Sequence, residues 1–431
     1  MTKGVNRNVK CNNSIDSYIL CGINHFIQKY GISLFTAENL DSKNLKEITI
    51  QTEDGERTFI EILKKIGYAL SGQLDGEWKR MDKDEKEKLA KVPIVDYYEE
   101  YLISILRTTH EPSIHAARKV FWPKDKKFAV CLTHDVDEIK KTYQYITHTL
   151  RYLRDGNLSR LKNQFLSLVK KVIKGEEPYW TFDEIMDLEQ RLGVRSTFYF
   201  LIESGKVKLF DRSTWRHYGR KYDITDEKIV DLMKMLHSEG WEIGLHGSFY
   251  SYNNISKLKK EKEMLEKVLD AKVYGIRQHN LNLDIPNTWR IHEKLGFEYD
   301  TTLGFNECVG FRWGTCFPFH PFDIEVGEPM KLLEIPLVIE DIALFSYENP
   351  WDVCMDIINV VEECGGVLTL LWHHSVFNEL EYPGWAEIYE RIIKVCKEEG
   401  AWVTNAYEIA KWWRMREESV LKCEYDGHTL K

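Results

Sequence analysis

Beyond Lys127 the sequence falls into a repeating rhythm: a short apolar run, a polar turn, then a stretch with apolar residues every three or four positions. Runs at 128–133, 196–202, 241–246, 273–277, 332–335, 367–372 and 402–404 have the length and the β-branched or aromatic content of buried strands. Helical patterns at 182–191, 226–237, 255–269, 286–295, 351–363, 385–399 and 406–413 separate most of them. A chain that alternates in this way buries its strands between helices, and the sheet is then parallel. The expected architecture is an irregular (β/α) barrel of about seven parallel strands, with a smaller N-terminal α+β domain. The barrel is expected over 124–417, the smaller domain over 1–123 and a tail over 418–431.

The first 123 residues have a different texture. Short alternating runs at 33–35 and 48–50 are followed by helical patterns at 59–66 and 94–106, with a charge-dense stretch at 75–91 that reads as solvated. Nothing there has the spacing of an active site, so an accessory or packing role is expected. Lys and Arg number 59 against 68 Asp and Glu, a net charge of −9, which argues against a nucleic-acid binder. Residues 1–10 are polar and basic with no apolar run behind them, and no run approaches the ~18 residues of a membrane span. The nine cysteines are scattered without a CxxC pair, as expected of free thiols in a reducing compartment. A cytoplasmic protein, peripheral at most to the inner face of a membrane, is the expectation.

One segment breaks the rhythm, an insertion at 139–176 straight after the first strand. Between Ile139 and Lys174 lie nine basic residues and a single acid, Asp155, while Tyr143, Ile146, Leu150, Leu153, Leu158, Leu161, Phe165, Leu168 and Val172 recur at helical spacing. A basic amphipathic helical hairpin is expected. Two readings follow: an apolar stripe docked on the barrel with its basic face in water, or contact with an anionic membrane surface or a phosphate-bearing substrate.

In a β/α barrel the chemistry sits at the C-terminal ends of the strands. Here those ends carry Thr133-His134-Asp135-Val136-Asp137, Leu245-His246-Gly247-Ser248, Ile276-Arg277-Gln278-His279 and Leu371-Trp372-His373-His374. Carboxylates, imidazoles and a guanidinium are costly beside core strands unless paired or bound to metal. One of the two aspartates can hold a divalent cation while the other accepts a proton. His246 can supply an imidazole ligand, and Arg277 needs a carboxylate partner, with Asp135 the obvious one. Of the two terminal histidines, His373 is expected to face the pocket and His374 to point elsewhere.

This arrangement resembles the polysaccharide deacetylases, the carbohydrate esterase family 4-like fold with NodB homology, over about two thirds of the chain. Asp135 and Asp137 match the D-x-D branch of its first motif, Arg277 opens the third, and Leu371-Trp372-His373 matches the L-x-H of the fifth. The second motif, H-S/T-x-x-H, is half met, because Tyr250 stands where the second metal histidine belongs. The resemblance implies metal-assisted hydrolysis of a carbon–nitrogen bond, removing an N-acetyl group from a sugar. Asp137 and His246 would hold a divalent cation such as zinc, with His279 one candidate for the missing ligand and Tyr250 or a water the other. Asp135 would be the base, Arg277 its partner, and His373 the general acid, with Asp341 a candidate to orient it. Trp372, Trp313 and Phe249 are candidates to line a sugar site, although core packing explains each as well.

The implied partner is an N-acylated sugar or glycan precursor of a surface polysaccharide, nucleotide- or lipid-linked, with the basic insertion suited to a lipid carrier. Three alternatives stand beside this reading: hydrolysis of a cyclic amide or imide by the same residues, a nucleotide-sugar glycosyltransferase using the D-x-D tripeptide, and a catalytically inactive glycan-binding module.

Overall fold

The computed structural model describes residues 17–30, 33–36, 39–43, 53–109, 114–117, 119–203 and 222–419. The expected strand at 48–50 and most of the expected tail, 420–431, lie outside the described residues. The central element is a parallel sheet of nine strands. In chain order these are β1 (Ala129–Val136), β2 (Thr197–Leu201), β3 (Glu242–Gly247), β4 (Gly275–Gln278), β5 (Tyr299–Asp300), β6 (Leu333–Glu334), β7 (Ile339–Glu340), β8 (Val367–Leu371) and β9 (Trp402–Thr404). Their lateral order is β6-β5-β4-β3-β2-β1-β8-β7, with β9 beside the first half of β1.

The seven strands anticipated from the sequence are all present. Two further strands, β5 and β7, are two residues long, too short for periodicity to reveal. The sheet's two edges are bridged by one irregular stretch. Ile335 N donates to Asp300 O on one edge, Leu337 N to Leu303 O, and Val338 N to Thr369 O on the other. The barrel is therefore closed by a single bent segment rather than by a strand ladder.

β1 shows why the core forms. All eight of its residues are buried, because helices or barrel interior cover both faces. The pleat sends Thr133 and Asp135 inward, where Arg277 meets both. It sends His134 outward, where its ring lies 3.0 Å from Glu189 and 2.8 Å from Trp372 O. Gly244 of β3 is required by close approach, since a Cβ there would sit 2.4 Å from the Tyr199 ring.

The N-terminal helices pack onto the barrel and share its hydrophobic core. The 75–91 stretch is partly engaged rather than solvated throughout: Asp75 grips Arg312 at 2.7 and 3.0 Å, and Ala90 is buried. Lys29 is fully buried between Asp96 at 2.7 Å and Glu99 at 2.5 Å, so its charge is compensated.

The basic insertion is a helical hairpin, Gln144–Arg154 and Leu158–Lys174. The expectation of an apolar stripe docked on the barrel fails. Gln144, Tyr152, Gln164 and Ser167 are the residues turned inward and buried, while Ile146, Leu150, Phe165 and Val172 are exposed. Period alone gives a helix two faces but does not say which one meets the protein.

Candidate active site

The register of the sheet brings the strand-end side chains to one level. Leu371 of β8 pairs with Thr133 of β1, Asp135 with Tyr199 of β2, Leu201 with His246 of β3, and His246 with Arg277 of β4. Two groups of polar residues result, one on either side of Asp135.

Arg277 is wholly buried and Asp135 nearly so. Arg277 Nη1 donates to Asp135 Oδ1 at 2.9 Å and to Thr133 Oγ1 at 2.7 Å, and Nε donates to Thr301 O at 3.1 Å. The guanidinium also lies over the Tyr199 ring, 4.8 Å from its centre. Three fixed acceptors and a stacked face leave the guanidinium little freedom, so the carboxylate it grips is held at one angle.

The other oxygen of Asp135 faces His246. His246 Nε2 lies 3.4 Å from Asp135 Oδ2 and 3.2 Å from Asp137 Oδ1, while Nδ1 is 3.0 Å from Arg277 O. A carbonyl only accepts, so Nδ1 carries the proton and donates to it. Two carboxylate oxygens therefore converge on a single ring nitrogen. That is stable only if a proton or a cation stands between them. His279 completes the group, its Nε2 3.5 Å from Asp137 Oδ2. One ligand atom from each of Asp137, His246 and His279 lies within 4.8 Å of the other two.

Burial works against the charge on Asp137, yet the His279 and His246 rings hold its carboxyl well below the usual carboxylate range. Burial likewise opposes charge on His246, but Asp135 and Asp137 raise it. The donor set of two imidazoles and one carboxylate suits zinc or a similar divalent cation with open positions for water and substrate. A backbone acceptor on Nδ1 that turns Nε2 toward the site is the usual outer support of a metal histidine.

Tyr250, the other candidate for the missing ligand, follows β3 by three positions. Its side chain is close to half exposed, and its ring packs edge-on against Phe249 at 4.8 Å. Ser248 of the same motif is buried and donates to Glu261 at 2.5 Å. Phe249 borders the site, 6.1 Å from the His279 ring. The expectation that Trp313 and Trp372 line a sugar site is corrected: both are fully buried. Trp313 packs edge-on against Trp289 at 5.1 Å and donates to Asp75, and Trp372 packs among Phe345 and Tyr389.

On the other side of Asp135 stand the two histidines after β8. His373 Nδ1 lies 2.9 and 3.1 Å from the two oxygens of Asp341, and its backbone N–H donates to the same carboxylate at 2.6 Å. The register of β7 on β8, Glu340 opposite Leu371, carries Asp341 to this position. Burial disfavours the charged ring, but Asp341, with Asp137 and Asp135 behind it, lifts the His373 pKa to about 10. His374 points the other way, stacked on Phe182 with Nδ1 3.1 Å from Asp135 O, and burial depresses its pKa to about 4. Two adjacent imidazoles thus hold opposite protonation states at neutral pH.

Sequence reasoning passed over Glu340, which is buried beside Asp341 and His373 and pushed up to about 8, chiefly by burial. The Glu340-Asp341 pair directly after an apolar run was the available signal.

No family model matches the chain, and no curated protein matches it. Among solved structures, a Mycobacterium smegmatis protein described as a polysaccharide deacetylase is similar over 72% of this chain and 99% of its own, with 19% identity and a TM-score of 0.45. PuuE allantoinase is similar over 69% of this chain and 94% of its own, at 15% identity and 0.45. A Pseudomonas aeruginosa PAO1 protein described as a polysaccharide deacetylase covers 70% and 95%, at 14% identity and 0.44.

Proposed function

We propose that the chain is a metal-assisted hydrolase that removes an N-acetyl group from a sugar of a surface-polysaccharide precursor. The observation that carries the reading is the convergence of three units at one end of the barrel: Asp135 on Arg277, Asp137 with His246 and His279, and His373 on Asp341. The sugar and the carbon–nitrogen bond both come from the motif resemblance, and a base with an acid is what cleaving such a bond needs.

Asp137, His246 and His279 would hold a divalent cation, which supplies Lewis acidity toward an acyl oxygen and lowers the pKa of a water. Asp135 accepts the proton of the attacking water, with one oxygen facing His246 on the cation side and the other fixed by Arg277. His373 donates to the departing nitrogen, because an amine leaves poorly unless it is protonated. Asp341 is a positioning residue that fixes the ring through Nδ1 and leaves Nε2 to carry the proton toward the substrate.

The test is acetate release from N-acetylhexosamines offered free, nucleotide-linked and lipid-linked, with zinc or another divalent cation restored. Release that disappears in Asp135→Asn while metal content is retained supports the reading. No release from any of these, or an active Asp135→Asn variant, overturns it.

A further inference from the structure

Amphipathic helices of a soluble domain turn their apolar stripe to the core. The hairpin of Gln144–Arg154 and Leu158–Lys174 does the reverse. Its inner face is polar and fully engaged. Lys141 contacts Glu381 at 2.5 Å and donates to Gln164, Gln164 Nε2 donates to Gln144 O at 2.9 Å, and His148 and Arg160 both contact Glu381. Its outer face carries Ile146, Leu150 and Leu153 on one helix and Leu158, Phe165 and Val172 on the other. Leu158 is 77% exposed, Val172 76% and Phe165 65%. An apolar surface of this extent in water marks a place where something binds.

We propose that this face docks on an anionic lipid bilayer. Charge selects the occupant. Arg151, Arg154, Lys162, Lys170 and Lys174 are all exposed on the two helices, and Asp155, paired with Arg154 at 2.9 Å, is the single acid between Ile139 and Lys174, in a chain whose net charge is −9. Apolar side chains bordered by long cationic ones suit the boundary between acyl chains and anionic headgroups, where Lys and Arg reach up to phosphate. A second copy of the chain would bring two such cationic faces together and repel. No helix among the described residues is long and apolar enough to cross a membrane, so the contact is peripheral.

The hairpin leaves the sheet directly after β1, and its anchor Glu381 follows His373 by eight positions. Docking would therefore hold the barrel end that carries Asp135 and His373 near the headgroups. The inference does not depend on the hydrolase reading, since binding is measured without turnover.

The experiment is cosedimentation of the full chain with vesicles of phosphatidylcholine alone and with about one third phosphatidylglycerol. Binding is expected to the anionic vesicles only, weakening as salt is raised. Charge reversal by Lys162→Glu with Lys170→Glu should lower the partition coefficient about fivefold or more per charge. Phe165→Ser with Val172→Ser should lower it tenfold or more. Both pairs are exposed, so circular dichroism and Tm should stay close to those of the parent chain. Absence of binding to either vesicle overturns the proposal, as does binding that neither pair weakens. Self-association in sedimentation velocity that Phe165→Ser with Val172→Ser abolishes would assign the face to a second copy and overturn it as well.

Discussion

Replacing Arg277 by Met in the metal-free protein isolates the ion pair at the centre of the site. The guanidinium is wholly buried and contacts Asp135, Thr133 and Thr301 O. Removing one member of a buried pair leaves the other charge without compensation, at about 3–5 kcal/mol. The acceptors on Thr133 and Thr301 lose a donor too, worth about 1 kcal/mol more. Arg277→Met should therefore cost about 4–6 kcal/mol in guanidinium denaturation. Asp135→Asn keeps an acceptor facing Arg277 but removes the counter-charge of the buried guanidinium, and should cost about 3–5 kcal/mol. With Asn already at 135, the Met substitution no longer strands a charge, so the double variant should recover about 2 kcal/mol relative to additivity. Working without metal keeps ligand binding out of the balance. Additivity within about 0.5 kcal/mol, or a loss below about 1 kcal/mol for Arg277→Met, would refute the idea that this pair is a compensated buried charge.

Asp341→Asn removes the principal cause of the high His373 pKa of about 10. The acid form of His373 is required, so the basic limb of kcat/KM should move down by about two pH units toward the ordinary histidine value; an unmoved limb would separate Asp341 from the acid's ionisation. His374 gives a stability signature of the opposite sign. Its folded pKa of about 4 lies below the ordinary value of 6.5, so between those limits the unfolded chain binds a proton that the native chain does not. Stability attributable to His374 is present above pH 6.5 and is lost as pH falls toward 4, by about 3 kcal/mol. His374→Asn, which keeps a donor for Asp135 O, should flatten that acid loss, and an unchanged pH dependence of Tm would remove His374 as its source.

The parts of the fold legible in the sequence were those with a strong period or a long run. β1 announces itself because a strand covered on both faces is apolar throughout, and the two aspartates after it then stand out. β5 and β7 were hidden because two residues have no period. Glu340 was hidden with them, since its place beside His373 is set by pairing across to β8. His279 was readable as a candidate because it follows Arg277 at a strand end. Tyr250 differs from it in exposure, close to half exposed against a buried His279. The hairpin shows the limit most clearly: its amphipathic period was visible, but whether Gln164 or Phe165 faces the barrel depends on Glu381, more than 200 residues away in the chain.

The claim on which the rest depends is that Asp137, His246 and His279 form one cation site. Calorimetric titration of zinc into the metal-free chain tests it most directly. About one ion per chain is expected in the parent protein, and His279→Ala should lower the affinity at least tenfold while Tyr250→Phe leaves it unchanged. Parent-like zinc binding by His279→Ala, or its loss in Tyr250→Phe, would contradict the assignment.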